Sequence, residues 1–165
     1  MEGFLPYIIF GAVILLFVLL VIFAKRRRAS APDVYELNRA FLTPREASFF
    51  AVLQPIAAKY GLHVFAKPRI ADFVNVTVKR YEKGSDFYTH FNKISCKHID
   101  FLLCDRKFVP VTGIEVDDKS HAAPDRVARD NFVNGLYENI GLPVLRVSGR
   151  PNPARIEMFI SEVCG

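Results

Sequence analysis

Two stretches carry carboxylates where a plain core strand would carry Val or Thr. They are Lys97-His98-Ile99-Asp100-Phe101-Leu102-Leu103-Cys104 and Ile114-Glu115-Val116-Asp117-Asp118-Lys119-Ser120-His121. Both are apolar and β-branched enough to read as strands. Strand side chains alternate faces, so Ile99, Phe101 and Leu103 are expected on one face, with His98, Asp100 and Leu102 on the other. Likewise Ile114 and Val116 oppose Glu115 and Asp117. An antiparallel hairpin centred between Lys107 and Phe108 sets Asp100 opposite Glu115, with Cβ atoms about 5 Å apart and Asp117 roughly 7 Å further along the same side. Like charges so close repel unless a cation lies between them or one holds a proton. Oxygen-only ligation on a rigid sheet suits Mg²⁺ or Mn²⁺, and Asp100, Glu115 and Asp117 are the expected ligands. The same residues also admit a plainer reading, in which Asp117 and Asp118 open a loop and Glu115 faces solvent from an edge strand.

The elements that must hold these residues are legible around them. Thr43-Pro44-Arg45-Glu46 is a helix-start signature, with Thr43 as N-cap, Pro44 at the first helical position and Glu46 as the capping-box acid. That helix is expected to run to Tyr60 and stop at Gly61, burying Phe49, Phe50, Leu53, Ile56 and Ala57. His63 to Lys67 reads as a strand, and Val74 to Val78 as a further one. Gly84-Ser85 marks a turn before a short helix. Pro124 and Asp125 open a helix to about Ile140, with Asp125 and Arg129 spaced as an i,i+4 pair and Phe132, Val133, Leu136, Tyr137 and Ile140 as its buried stripe. Pro143 to Val147 is an apolar strand, and Asn152-Pro153 starts a final helix ending near Val163. This order predicts an α/β domain with a small mixed sheet. The chain shows no internal repeat, no phosphate-cradling glycine loop and no Ser-His-Asp ordering.

The N-terminus reads differently. Phe4 to Ala24 carries no charge, and as a helix it would be about 30 Å long, enough to cross a bilayer. Lys25-Arg26-Arg27-Arg28 follows it, the wrong side for a cleaved signal. The expectation is a transmembrane anchor over 1–28, a linker over 29–38 and an α/β domain over 39–165. The positive flank predicts a single-pass protein of the cytoplasmic (inner) membrane, its N-terminus outside and its C-terminal domain in the cytoplasm. That cluster less Glu2 supplies +3 of the formal net charge of +5, so global charge argues for anionic lipid rather than nucleic acid. Cys96, Cys104 and Cys164 are odd in number and not closely paired, as expected of reduced thiols. A zinc module on Cys96, His98, Cys104 and His121 would lack the close ligand pairs such sites use.

The order Asp-Phe-Leu, Ile-Glu-Val-Asp-Asp-x-Ser-His, an Arg-Asp pair in a helix and Gly-Leu-Pro-Val-Leu-Arg-Val resembles the bacterial family called domain of unknown function 2726, from about Leu42 to Val147. That family is similar to the PD-(D/E)XK nuclease superfamily, near the very-short-patch repair endonucleases. The resemblance implies a restriction endonuclease-like αβββαβ core, here preceded by the expected transmembrane helix, and a metal-dependent endonuclease acting on nucleic acid. In such enzymes two carboxylates hold a divalent ion and a lysine steadies the attacking water. Asp100 and Glu115 match the carboxylates, but Asp117 stands where the lysine is expected. His121, Lys97 and Lys119 are the candidates to replace it. Glu46 matches an acid that can join the metal site, although its capping box explains it equally, and Asp130 matches the family's acid on the later helix, although a structural pairing with Arg126 or Arg129 also accounts for it. Lys83, Lys93 and Arg126 are the candidate nucleic-acid contacts, within or near a stretch that interleaves basic and aromatic residues and reads equally as a solvated face. The alternative is a nuclease-derived module that holds nucleic acid or protein at the membrane without cutting.

Overall fold

The computed structural model describes residues 3–27, 35–117 and 124–165. The chain divides into two compact units, Met1–Phe41 and Leu42–Gly165. The first contains helix α1 (Leu5–Arg27), whose side chains from Tyr7 to Phe23 are exposed. Among the described residues no helix is long and apolar enough to cross a membrane. This corrects the expectation of a transmembrane helix before the α/β domain, and with it that of a single-pass protein with its N-terminus outside and its C-terminal domain cytoplasmic.

The second unit follows from patterning. Helix α2 (Pro44–Lys59) starts where Thr43 and Glu46 close a capping box, and Gly61 takes the left-handed φ of +67° that ends it. Strand β1 (His63–Ala66), short helices α3 (Ile70–Phe73) and α4 (Phe87–Ser95), and strands β2 (Phe101–Cys104) and β3 (Pro110–Asp117) follow. Helix α5 (Pro124–Asn139), strand β4 (Val144–Ser148) and helix α6 (Pro153–Cys164) complete the chain. The sheet is mixed, in the order β1-β2-β3-β4. The first three strands are antiparallel neighbours, and β4 lies parallel to β3, as a crossover helix between them requires.

Alternation gives the sheet two apolar faces. Phe101, Leu103, Ile114, Leu145 and Val147 pack against Phe49, Leu53 and Ile56 of α2 and Ile156 and Ile160 of α6. Leu102 and Cys104 belong to a second core with Ile70, Ile94, Val133 and Tyr137. Two expectations are corrected here. Val74 to Val78 forms no strand; Val74 and Val76 pack on the second core instead of pairing. β2 begins only at Phe101, because the preceding segment binds elsewhere: Ile99 N–H donates to the Pro68 carbonyl (3.2 Å) and Ile70 N–H to the Lys97 carbonyl (2.8 Å). Ile99 therefore joins the second core, opposite Phe101 and Leu103, rather than sharing their face.

Gly113, in the middle of β3, makes room for that turn. A Cβ at this position would collide with Ile99 Cδ1 and press on Val144 Cγ2 at 3.3 Å. Ile99 is fully buried, so it has no open space to retreat into. Gly113→Ala is expected to cost about 1–3 kcal/mol, the usual range for overpacking, read as a lower urea midpoint. A midpoint equal to or above wild type would show that Ile99 repacks freely.

Candidate functional site: a carboxylate pair at the β2–β3–β4 end

The bend at Ile99 sets Asp100 at the start of β2. Its backbone carbonyl accepts from Lys67 N–H at 2.9 Å, and its Oδ2 accepts from Val116 N–H at 2.7 Å. The second bond crosses to β3 and pins the carboxylate against the strand that carries Glu115. One step beyond the Phe101–Ile114 pair the register brings Asp100 alongside Glu115, as the hairpin centre predicts. On the other side of β3, Glu115 registers with Arg146 of β4.

The electrostatics follow from that crowding. Burial is the largest influence on Glu115, with the Asp100 charge next; together they overcome the opposing pull of Arg146 and push the carboxyl up to about 8. Asp100 is also raised, first by burial and then by Glu46 and Asp117, against the pull of the Val116 N–H and Lys67.

Arg146 is a cleft residue the sequence reading passed over. Its Nη1 donates to Asp117 Oδ1 at 3.1 Å, and its Nη2 donates to Asn134 Oδ1 on α5. The available signal was a cation inside the apolar run Val144-Leu145-Arg146-Val147, on the face that alternation shares with Glu115. Tyr137 was read as core. It belongs to the second core, and among the described residues its Oη has no hydrogen-bond partner. Lys67 was read only as the end of a strand; the strand stops at Ala66, Lys67 adopts a left-handed φ of 52°, and its ammonium lies 3.0 Å from Glu46 Oε2.

Asp100, Glu115, Asp117, Asp130 and Arg146 line one cleft of about 540 Å³, with Cys96, Lys97, His98, Val116 and Val133. Among the described residues, no three His, Cys, Asp or Glu side chains form a group that could hold a metal ion. Asp100, Glu115 and Asp117 thus share the cleft, with Asp117 paired to Arg146. A pair is still a fitting donor set for a hard cation, since Mg²⁺ is commonly bound through one or two carboxylates and otherwise by water and phosphate oxygens.

The other candidates separate. Glu46 is a true cap, its Oε2 accepting from Thr43 N–H at 2.8 Å. Burial raises its carboxyl, but the Thr43 N–H and Lys67 outweigh that and hold it below the usual range. It does not line the cleft, although its charge acts on Asp100. Lys97 lines the rim, donating to the Lys93 carbonyl at 2.5 Å and lying 5.6 Å above the Phe132 ring. Lys93 lies 5.9 Å from the same ring. Lys83 is exposed in the turn before α4, away from the cleft lining. Within the basic and aromatic stretch, Arg80 is engaged by Tyr81, Phe87 and Tyr88. Cys104 is buried in the second core while Cys96 and His98 face the cleft, so the zinc grouping does not assemble among the described residues. Asp118, Lys119 and His121 lie outside the described residues, as does the side chain of Arg126.

With this geometry in view, the comparisons place the chain. The family described as "Protein of unknown function (DUF2726)" matches residues 38–159. The chain belongs to this family. The DUF2726 match spans the whole sheet and both carboxylate strands, and excludes α1. No curated protein and no solved structure matches the chain.

The raised Glu115 carboxyl has a defined consequence for stability. Below about pH 4.5 the group is protonated in both folded and unfolded chains; between there and about 8 only the folded chain keeps the proton, so stability falls as pH rises. Glu115→Gln is expected to flatten the fall in Tm across that window in metal-free buffer and to exceed wild type at its upper end. A variant retaining the wild-type slope would assign the titration to another group.

Proposed function

We propose that the cleft hydrolyses phosphodiester bonds of nucleic acid with Mg²⁺ or Mn²⁺ held by Asp100 and Glu115. The observation that carries this reading is the paired carboxylates of β2 and β3, crowded enough that one is pushed up to about 8, which a divalent cation would relieve. When bound, such an ion polarises the scissile phosphate and lowers the pKa of its water.

The chain's own residues supply the rest. Val116 N–H holds Asp100 by one oxygen, leaving the other to point into the cleft. Arg146, held by Asp117 and Asn134, lines the cleft, where its charge would offset the negative charge that gathers on a phosphodiester under attack. Among the described lining residues, His98 is the imidazole available to move a proton. Lys97 at the rim meets the flanking phosphate. The Asp117–Arg146 pair, where a lysine is expected, also supports the second reading, a nuclease-derived module that grips nucleic acid without cutting it.

The test is cleavage of single- and double-stranded DNA and RNA by the full chain with Mg²⁺ or Mn²⁺. Asp100→Asn and Glu115→Gln are expected to reduce cleavage to background. Arg146→Ala should slow it about 10²–10³-fold, the usual loss for one transition-state donor. Binding without metal-dependent cleavage would leave the gripping module, and cleavage undiminished in Asp100→Asn would belong to a contaminant.

A further inference from the structure

Phe132 belongs by periodicity to the apolar stripe of α5, yet it is 37 % exposed. Two ammoniums lie over its ring, Lys93 at 5.9 Å and Lys97 at 5.6 Å from the centroid. Among the described residues neither is paired with a carboxylate, whereas Lys79 and His90 nearby have Glu82 and Asp86. Like charges brought to one ring repel, and a bound anion would relieve that. The three residues stand where two cavities adjoin. On α4, Ile94 lines a groove of about 250 Å³ while Cys96 and Lys97, just beyond the helix, line the carboxylate cleft; on α5, Phe132 lines the groove and Val133 the cleft.

The rest of the groove is lined by the 74–78 segment and by His90 and Leu136. Its walls are apolar apart from Asn75, Thr77 and His90, and Phe132 makes one of them aromatic. A slot of that kind suits a flat heteroaromatic ring. The lysines beside it suit the phosphate attached to such a ring, and they supply the attraction for a polyanion that a cleft lined by Asp100, Glu115, Asp117 and Asp130 lacks. Bases of a duplex are paired and stacked, so only an unpaired base can enter. We infer that the groove is a nucleobase subsite for single-stranded nucleic acid: the base stacks on Phe132, Lys93 and Lys97 hold its phosphate, and the neighbouring phosphodiester enters the cleft. The inference rests on the proposed nucleic-acid substrate and adds the form of it that the chain selects.

The experiment measures, by fluorescence anisotropy, binding of the full chain to three labelled probes: a single-stranded oligothymidylate, the same strand with abasic sugars in place of its nucleosides, and its duplex with oligodeoxyadenylate. Ca²⁺, which takes the same oxygen ligands, stands in for Mg²⁺. Wild type is expected to bind the intact strand about 10-fold more tightly than the abasic strand or the duplex, an ordinary effect of one base stacking on an aromatic ring. Phe132→Leu is expected to remove that advantage, bringing the intact strand down to the affinity of the abasic one. Lys93→Gln combined with Lys97→Gln is expected to weaken binding and to lessen the single-strand salt slope by about 1.4, the share of two phosphates. Equal wild-type affinity for the intact and abasic strands would overturn the inference, as would a Phe132→Leu chain that keeps the advantage. Binding of the duplex alone would overturn it and leave the proposed function standing, whereas binding of none of the three by wild type would overturn both. The intact-against-abasic ratio is read on wild type, so it decides the matter even if Phe132→Leu does not fold.

Discussion

The hydrogen bond from Val116 N–H to Asp100 Oδ2 is a small contact on which the site depends. It replaces a ladder bond with a charge-assisted one where β2 has just begun, and charge-assisted bonds are the stronger kind. Two acids can then stand side by side on neighbouring strands although Coulomb repulsion opposes it. The repulsion does not vanish; it appears as the raised Glu115 carboxyl. Two acids held this close are costly, and under the proposed function a bound cation would recover that cost.

Around this pair the fold distributes compensating charge outward. Asp117 is balanced by Arg146, which α5 steadies through Asn134. Glu46 is balanced by Lys67, whose own backbone N–H holds the Asp100 carbonyl. Asp117 and Glu46 thus each have a cation of their own. Lys67 lowers Asp100 and Arg146 lowers Glu115, but in both cases burial and the neighbouring carboxylates prevail.

The two faces of the sheet divide the work. α2 and α6 cover one with an apolar core, which makes the strands rigid. The other face is apolar only as far as Leu102 and Val144, and becomes polar at Asp100, Glu115 and Arg146. That change coincides with the end of β3 and with the helix crossover to a parallel neighbour, the sort of place where open α/β sheets leave a crevice. Gly113 and Ile99 belong to the same arrangement, since the bend that sends Ile99 over Gly113 also delivers Asp100 to its position.

Local rules were enough for much of this. The Thr43–Glu46 cap, the helix from Pro44, the strand at His63 and the helices from Pro124 and Pro153 follow from short-range sterics, capping and periodicity, which act within a few residues. The Asp100–Glu115 juxtaposition was legible for the same reason, because a hairpin's register is set by its own turn: Asp105 Oδ1 accepts from Lys107 and Val109 N–H at 2.8 Å each. The family match was legible as a pattern of residues in order. What sequence could not decide depended on contacts far apart in the chain. Ile99 changed faces because the segment around Pro68 and Ile70 competed for its backbone. Val74 to Val78 alternates like a strand yet found no edge to pair with. The apolar N-terminal run was counted as a span from composition, whereas among the described residues no helix is long and apolar enough to cross a membrane. Arg146 entered the cleft only through the crossover that lays β4 beside β3, since its neighbours there, Glu115 and Asp117, are 31 and 29 positions away in the chain. Tertiary structure alone made Arg146 an anchored cation and Tyr137 a buried hydroxyl without a partner among the described residues.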